Sequence, residues 1–185
     1  MDLTIYNPDN APEESQPLLT SVKENYGFVP NLYGELAESP AALEGYIKLN
    51  EILGKTSFNP VEQQLAVLAV SIENECHYCA AAHSTVLKKK LNVDEAIVDA
   101  VRNDNEVPDE KLDALVTYIQ KTVQTRGFVE DHDLKSFLDA GYTKQHVLEV
   151  NLVISLKTIS NYTNHLAETP VDEAFESEKL EFTTV

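Results

Sequence analysis

Helix starts recur along this chain at short intervals, and they constrain its fold more than any other feature. Asn59-Pro60-Val61-Glu62 sets a side-chain oxygen before a proline and a carboxylate three positions on. That is a capping box with proline at the first helical position. A helix is predicted from Pro60 through Gln64, Leu65, Val67, Leu68 and Val70. Asn92-Val93-Asp94-Glu95 repeats the pattern with Asn92 as cap, and Ser39-Pro40 gives a third start, ahead of Leu43, Tyr46, Leu49 and Ile52 at helical spacing. Leu112, Leu115, Val116, Ile119 and Val123 form another stripe, closed by Gly127, and Leu134, Phe137 and Leu138 precede Gly141 in a shorter one.

From Thr143 to about His165 the apolar positions cover most of the helical circumference, the pattern of a central helix or a subunit contact. Gly27-Phe28-Val29-Pro30-Asn31 breaks one helix and starts the next, and Leu3 to Asn10 reads as irregular. No strand-length alternation bounded by hairpin turns occurs, so the expected fold class is all-α. The expected organisation is one domain over 1–185, with an irregular arm over 1–12 and an acidic tail over 170–185. At this length a chain buries roughly 70% of the surface it exposes when unfolded, so it needs no disulfide to fold.

The chemistry is concentrated in Glu73-Asn74-Glu75-Cys76-His77-Tyr78-Cys79, with His83 one turn later. On a helix, positions 76, 79 and 83 fall within about 60° of one another, and Cα atoms three apart lie about 5 Å from each other, close enough for a disulfide. Asn74 is the expected N-cap, which puts Cys76 in the first turn. There the free N–H groups and the dipole favour a thiolate, so the Cys76 pKa is expected to fall. His83, four positions after Cys79, is placed to take a thiol proton. Glu73 is a further candidate to orient His83 or Cys76. The candidate catalytic residues are therefore Cys76, Cys79, His83 and Glu73.

Buried free cysteines are usually inert core residues. These two are the chain's entire thiol content and share one Cys-x-x-Cys unit beside a histidine, which favours redox chemistry. A zinc site is disfavoured, since 76, 79 and 83 span about 10 Å of helix axis, too far for one ion with bonds near 2 Å. Haem attachment needs histidine directly after the second cysteine, where Ala80 stands. Among the other histidines, His77 points away from the stripe, His132 and His146 sit near helix starts, and His165 suits a helix C-terminus.

The 31 acidic and 14 basic residues give a net charge of −17, which repels nucleic acid and anionic lipid. Asp172, Glu173, Glu176, Glu178 and Glu181 face the single base Lys179, and this end reads as solvated. Met1-Asp2-Leu3-Thr4 has no basic or apolar leader character, and no stretch approaches the ~18 apolar residues of a membrane span, so the expected compartment is cytoplasmic.

With these motifs in place, the chain resembles the carboxymuconolactone decarboxylase superfamily and, within it, the alkylhydroperoxidase D-like (AhpD-like), peroxidase-related branch. The resemblance runs through Gly27 to Asn31, Pro60 to Gln64, Glu73 to Ser84, and Asn161-Tyr162-Thr163-Asn164-His165 with Asp172. It implies an all-helical fold, homo-oligomers such as trimers or hexamers, and a thiol peroxidase cycle with no cofactor and no metal. In that cycle one cysteine attacks a hydroperoxide to give a sulfenic acid, the other closes a disulfide, and an external thiol, lipoyl or thioredoxin-like reductant reopens it. Cys76 and Cys79 would be the redox pair and His83 the proton relay. The chain departs from the family in two places. Gln64 stands where the alkylhydroperoxidases have a glutamate, and Tyr78 where they have a histidine, so Glu73, or else Glu62, would supply the missing carboxylate. A lactone decarboxylase and a non-enzymatic redox sensor are the alternative functions.

Overall fold

A computed structural model describes residues 1–182. Among them the regular structure is entirely helical. After a turn of 3-10 helix at Glu13–Ser15 come α1 (Gln16–Tyr26), α2 (Asn31–Leu36), α3 (Pro40–Leu53), α4 (Pro60–Glu73) and α5 (His77–Thr85). A π-helical turn, Val86–Lys90, extends α5. Then follow α6 (Glu95–Arg102), α7 (Glu110–Gln124), α8 (Asp131–Asp139), α9 (Lys144–Ala167) and a last 3-10 turn, Glu173–Glu178.

Local caps explain most of the starts. Asn59 Oδ1 accepts from the N–H groups of Val61 and Glu62, while Glu62 Oε2 accepts from Asn59 N–H at 2.9 Å, the box read from the sequence. Ser39 caps α3, and Thr143 with His146 forms a box at α9. One start moves: α6 is capped by Asp94, not Asn92, because Asn92 takes a left-handed conformation that ends the preceding turn.

The core is built around α4, whose residues from Leu65 to Ile72 are buried on every side. It packs against α5, α6, α7 and α9. Phe137 stacks between Tyr118 and Tyr142, with ring centroids 4.3 and 4.4 Å apart, and joins α8 to α7. The N-terminal arm docks on α2, where Tyr6 N–H donates to Gly34 O. A Cβ on Gly34 would stand 2.8 Å from Tyr6 O, so only glycine admits that approach.

The expectation of a solvated tail needs correction in part: residues 170–182 lie across α5, where Asp172 and Glu178 are held, while Glu173, Glu176 and Glu181 are exposed. Tyr78 Oη donates to Asp172 at 2.5 Å, and Phe175 packs on Phe28 and Tyr78. Glu178 pairs with Lys88 and Arg102, and His77 meets Leu180 O and the Phe182 ring. Two aromatic rings, and the pairing of Glu178 with Lys88 and Arg102, hold the segment in place. Residues 183–185 of the predicted tail lie outside the described residues. No helix among the described residues is long and apolar enough to cross a membrane.

Candidate functional site

The thiols stand where two helices meet. At the end of α4, Glu75 N–H donates to Ile72 O and Cys76 N–H to Ser71 O, with Glu75 left-handed at φ 53°. This pair of bonds is a Schellman stop. It makes Asn74 the C-cap of α4 and Cys76 the N-cap of α5, so the expected N-cap at Asn74 is corrected. Cys79 falls at the third helical position, inside the turn whose N–H groups and dipole favour an anion.

Helix α9 supplies the rest of the site. Asn164 Nδ2 donates to both sulfurs, at 3.4 Å to Cys76 and 3.2 Å to Cys79. Lys157, 1% exposed, brings its ammonium beside Cys79 and donates to His83 Nε2 at 2.9 Å. Since lysine only donates, His83 Nε2 is the acceptor, and its Nδ1–H donates to Gln64 Oε1 at 3.0 Å. Burial and the Lys157 charge hold His83 well below the ordinary histidine pKa, so it is neutral.

Burial works against a thiolate at Cys79, but the Cys76 thiol and the Lys157 ammonium outweigh it and bring its pKa down to about 5. Cys76 moves up, because its proton is held by Cys79 and its site is buried. The two thiols thus share one proton, with the charge on Cys79. The sequence reading put the lowered pKa on Cys76, and the structure places it on the other cysteine, the one beside the lysine.

Each sulfur borders a different space. Cys79 and His83 line a cavity of about 250 Å³ walled by Tyr26, Tyr33, Tyr46, Tyr78 and Phe175. Burial first, then the nearby Cys79, push the Tyr46 phenol up, so it stays protonated. Cys76 borders a more polar cleft of about 470 Å³ with Asn74, Glu75, His77, Asn164, His165 and Phe182. Tyr78 lines both and, tied to Asp172, stands between them.

This arrangement can be compared with known proteins. The model of the carboxymuconolactone decarboxylase family matches residues 40–115, which contain α3, α4, the thiol unit and α6. A solved structure from Ralstonia eutropha JMP134, described as an alkylhydroperoxidase AhpD core and an uncharacterized peroxidase-related protein, superposes with a TM-score of 0.80 at 19% identity, over 92% of each chain. Residues 40–115 thus match the carboxymuconolactone decarboxylase family, and the fold of the chain is AhpD-like.

A peroxidase-related protein from Silicibacter sp. TM1040 gives 0.81 at 19% identity, over 96% of this chain and 94% of that one. The debrominase Bmp8, as a cysteine-to-alanine variant in complex with 2,3,4-tribromopyrrole, gives 0.76 at 16% identity, over 95% and 94%. At these identities the likeness is one of AhpD-like fold. No curated protein has a significantly matching sequence.

Within this AhpD-like frame the candidate residues divide. Cys76, Cys79 and His83 converge, with His83 bonded to Lys157. Glu73 does not join them: it accepts from Gln124 Nε2 of α7 at 3.3 Å. Burial, and more weakly Asp104, push its carboxyl up. Glu62 is committed to its cap, to Lys111 at 2.7 Å and to Tyr142 at 3.2 Å. His77 is exposed and holds the tail, His146 caps α9, and His132 stays on the surface.

Lys157 and Tyr46 escaped the sequence reading as site residues, while Asn164 and His165 entered it only within the run Asn161 to His165 that the resemblance offered as a pocket lining. Lys157 had a visible signal, a lone cation within the apolar run Leu152-Val153-Ile154-Ser155-Leu156-Lys157-Thr158-Ile159. Among the described residues no group of three or more His, Cys, Asp or Glu side chains is placed to hold a metal ion.

Proposed function

We propose that the chain is a thiol oxidoreductase in which Cys79 attacks a small hydroperoxide and Cys76 closes the disulfide. The observation that carries this reading is the Cys79 thiolate, held by Lys157 and Asn164 at the wall of an aromatic cavity. Cys79 Sγ attacks the terminal peroxide oxygen, the O–O bond breaks, and the alkoxide takes a proton, for which the Lys157 ammonium is the donor at hand. Cys79 is left as a sulfenic acid. Cys76 Sγ then attacks Cys79 Sγ, and hydroxide leaves as water with the Cys76 proton, so two electrons pass from the thiols to the peroxide. An external thiol, lipoyl or thioredoxin-like donor restores the pair.

Neutral His83 acts on Lys157, and Gln64, in the place of the family glutamate, fixes its tautomer. One equivalent of an organic hydroperoxide, followed by thiol trapping and intact mass, should show rapid conversion to an intramolecular disulfide. Turnover should be lost in Cys76→Ser and Cys79→Ser and slowed in His83→Ala. Full activity in the double serine variant would end this reading.

A second reading, reductive dehalogenation of a small haloaromatic, is supported by the tyrosine walls and by the likeness to Bmp8. Cys79 would take the halogen, the ring carbon a proton, and Cys76 would displace halide as the disulfide forms. Halide release that needs both cysteines would select it.

Lactone decarboxylation, the activity in the family name, leaves the cysteines without a part, and CO₂ release from a muconolactone by the double serine variant would establish it. Stoichiometric oxidation without turnover would mark a redox sensor. The proposal takes residues 1–185 as one domain acting in the cytoplasm, with no nucleic-acid or membrane partner. It also takes the chain as a homo-oligomer, which the exposed Leu148, Tyr162 and Leu166 along α9 support.

A further inference from the structure

We infer that the two cysteines are served from opposite sides: substrate reaches Cys79 through the aromatic cavity, and an uncharged thiol reductant bearing an amide N–H reopens the disulfide at Cys76 from the polar cleft. The inference rests on the oxidoreductase reading and adds to it the second site and its ligand class.

Three observations converge on the cleft. The first is separation: Cys76 borders the cleft but not the aromatic cavity, Cys79 borders the cavity but not the cleft, and Tyr78, fixed by Asp172, stands between. The second is the direction of exchange. A disulfide opens so that the better leaving group departs, and the thiol with the lower pKa leaves faster. That thiol is Cys79, held as an anion by Lys157 and Asn164. The incoming thiolate therefore attacks Cys76 Sγ, the S–S bond breaks, and Cys79 leaves with the electron pair. A second reductant thiol then takes the reductant sulfur off Cys76, so one thiol pair is oxidised for each protein disulfide reduced.

The third observation is an unmet acceptor. Asn164 is 5% exposed and lines the cleft. Its Nδ2 is committed to the sulfurs, and its Oδ1 has no hydrogen-bond partner among the described residues. A buried acceptor without a donor is costly, and a ligand N–H beside the attacking sulfur would satisfy it. Glu75 and Glu168 on the rim disfavour an anionic reductant.

The test starts from protein oxidised with diamide, so that it does not depend on peroxide turnover. The disulfide is opened with N-acetylcysteamine, which carries the amide N–H, or with 2-mercaptoethanol, which does not, and the adduct is mapped after acid quench. The adduct is expected on Cys76. N-acetylcysteamine should react about fivefold faster, the size of one neutral hydrogen bond. That advantage should vanish in Asn164→Ala, where any general effect on the sulfurs cancels between the two probes. His165→Trp, at the cleft, should slow reduction at least tenfold more than oxidation by hydroperoxide, and Asn50→Trp, at the cavity, should do the reverse. An adduct on Cys79, or equal effects of the two tryptophans on both half-reactions, would overturn the inference while leaving the oxidoreductase reading intact. Failure of diamide to close the disulfide would overturn both.

Discussion

Two lysines in this molecule meet acidic partners in opposite ways. Lys111 is half exposed and bonds Glu62, whose carboxylate also accepts from Asn59 N–H and Tyr142 Oη. Every charge there is matched, and although burial opposes it, Lys111 and the cap hold the Glu62 carboxyl below its ordinary pKa. Lys157 is buried and faces a neutral histidine and a thiol pair. Its charge is balanced only when Cys79 gives up its proton. The first site holds helices together, and the second keeps a nucleophile ionised.

The largest separation between the two should come from the acidic partners themselves. Cys79→Ser should lower thiol-dependent turnover by on the order of 10³-fold or more. Glu62→Gln should leave turnover within about twofold and cost roughly 1–3 kcal/mol of stability in denaturant unfolding, through its cap and its buried pair. A comparable loss of turnover in Glu62→Gln would erase the contrast.

Next come the cations. Lys157→Met removes the charge that favours the thiolate, so Cys79 ionisation, followed by thiolate absorbance, should move from about 5 toward roughly 8.5. At pH 7 the thiolate fraction, and with it the rate, should fall about 30-fold. Lys111→Met should leave that titration in place. Because the folded Cys79 pKa lies below the unfolded one, its contribution to stability is complete above the unfolded value near ~8.5 and is lost as pH falls through about 5. Lys157→Met should flatten that dependence.

Asn164→Ala removes a neutral donor and should raise the Cys79 pKa by only about one unit. The smallest effect should be at the tail. Asp172→Ala deletes the Tyr78 anchor and should speed amide exchange over residues 173–182, a local change of about 1–2 kcal/mol, with the thiol titration barely moved.

What could be read directly was whatever depends on neighbours in the chain. The box at Asn59 and Glu62, the cap at Ser39 and the pairing of Thr143 with α9 involve residues two to four apart, and each stands where the pattern put it. Helix ends were harder. Glu75 and Asp104 take the left-handed conformation that glycine usually marks, so the stops of α4 and α6 carry no residue signal, whereas Gly127, whose N–H closes on Thr122 O, did mark the end of α7. The misplacement of Cys76 in the first turn follows from that silence at Glu75. The docking of the tail was missed for a different reason: the partners of Asp172 and Glu178, which are Tyr78, Lys88 and Arg102, lie in α5, the turn after it and α6.

The sequence by itself determined that the chain is helical, where the helices at Asn31, Pro40, Pro60 and Lys144 begin, and that its two thiols sit three positions apart beside a histidine. Capping and period act over one turn, and that is the range over which a sequence can be read without coordinates. Which thiol carries the charge was decided by tertiary structure. Ionisation follows from burial and from the cation within reach, and that cation, Lys157, is 74 positions from His83 in the chain and 2.9 Å from it in space.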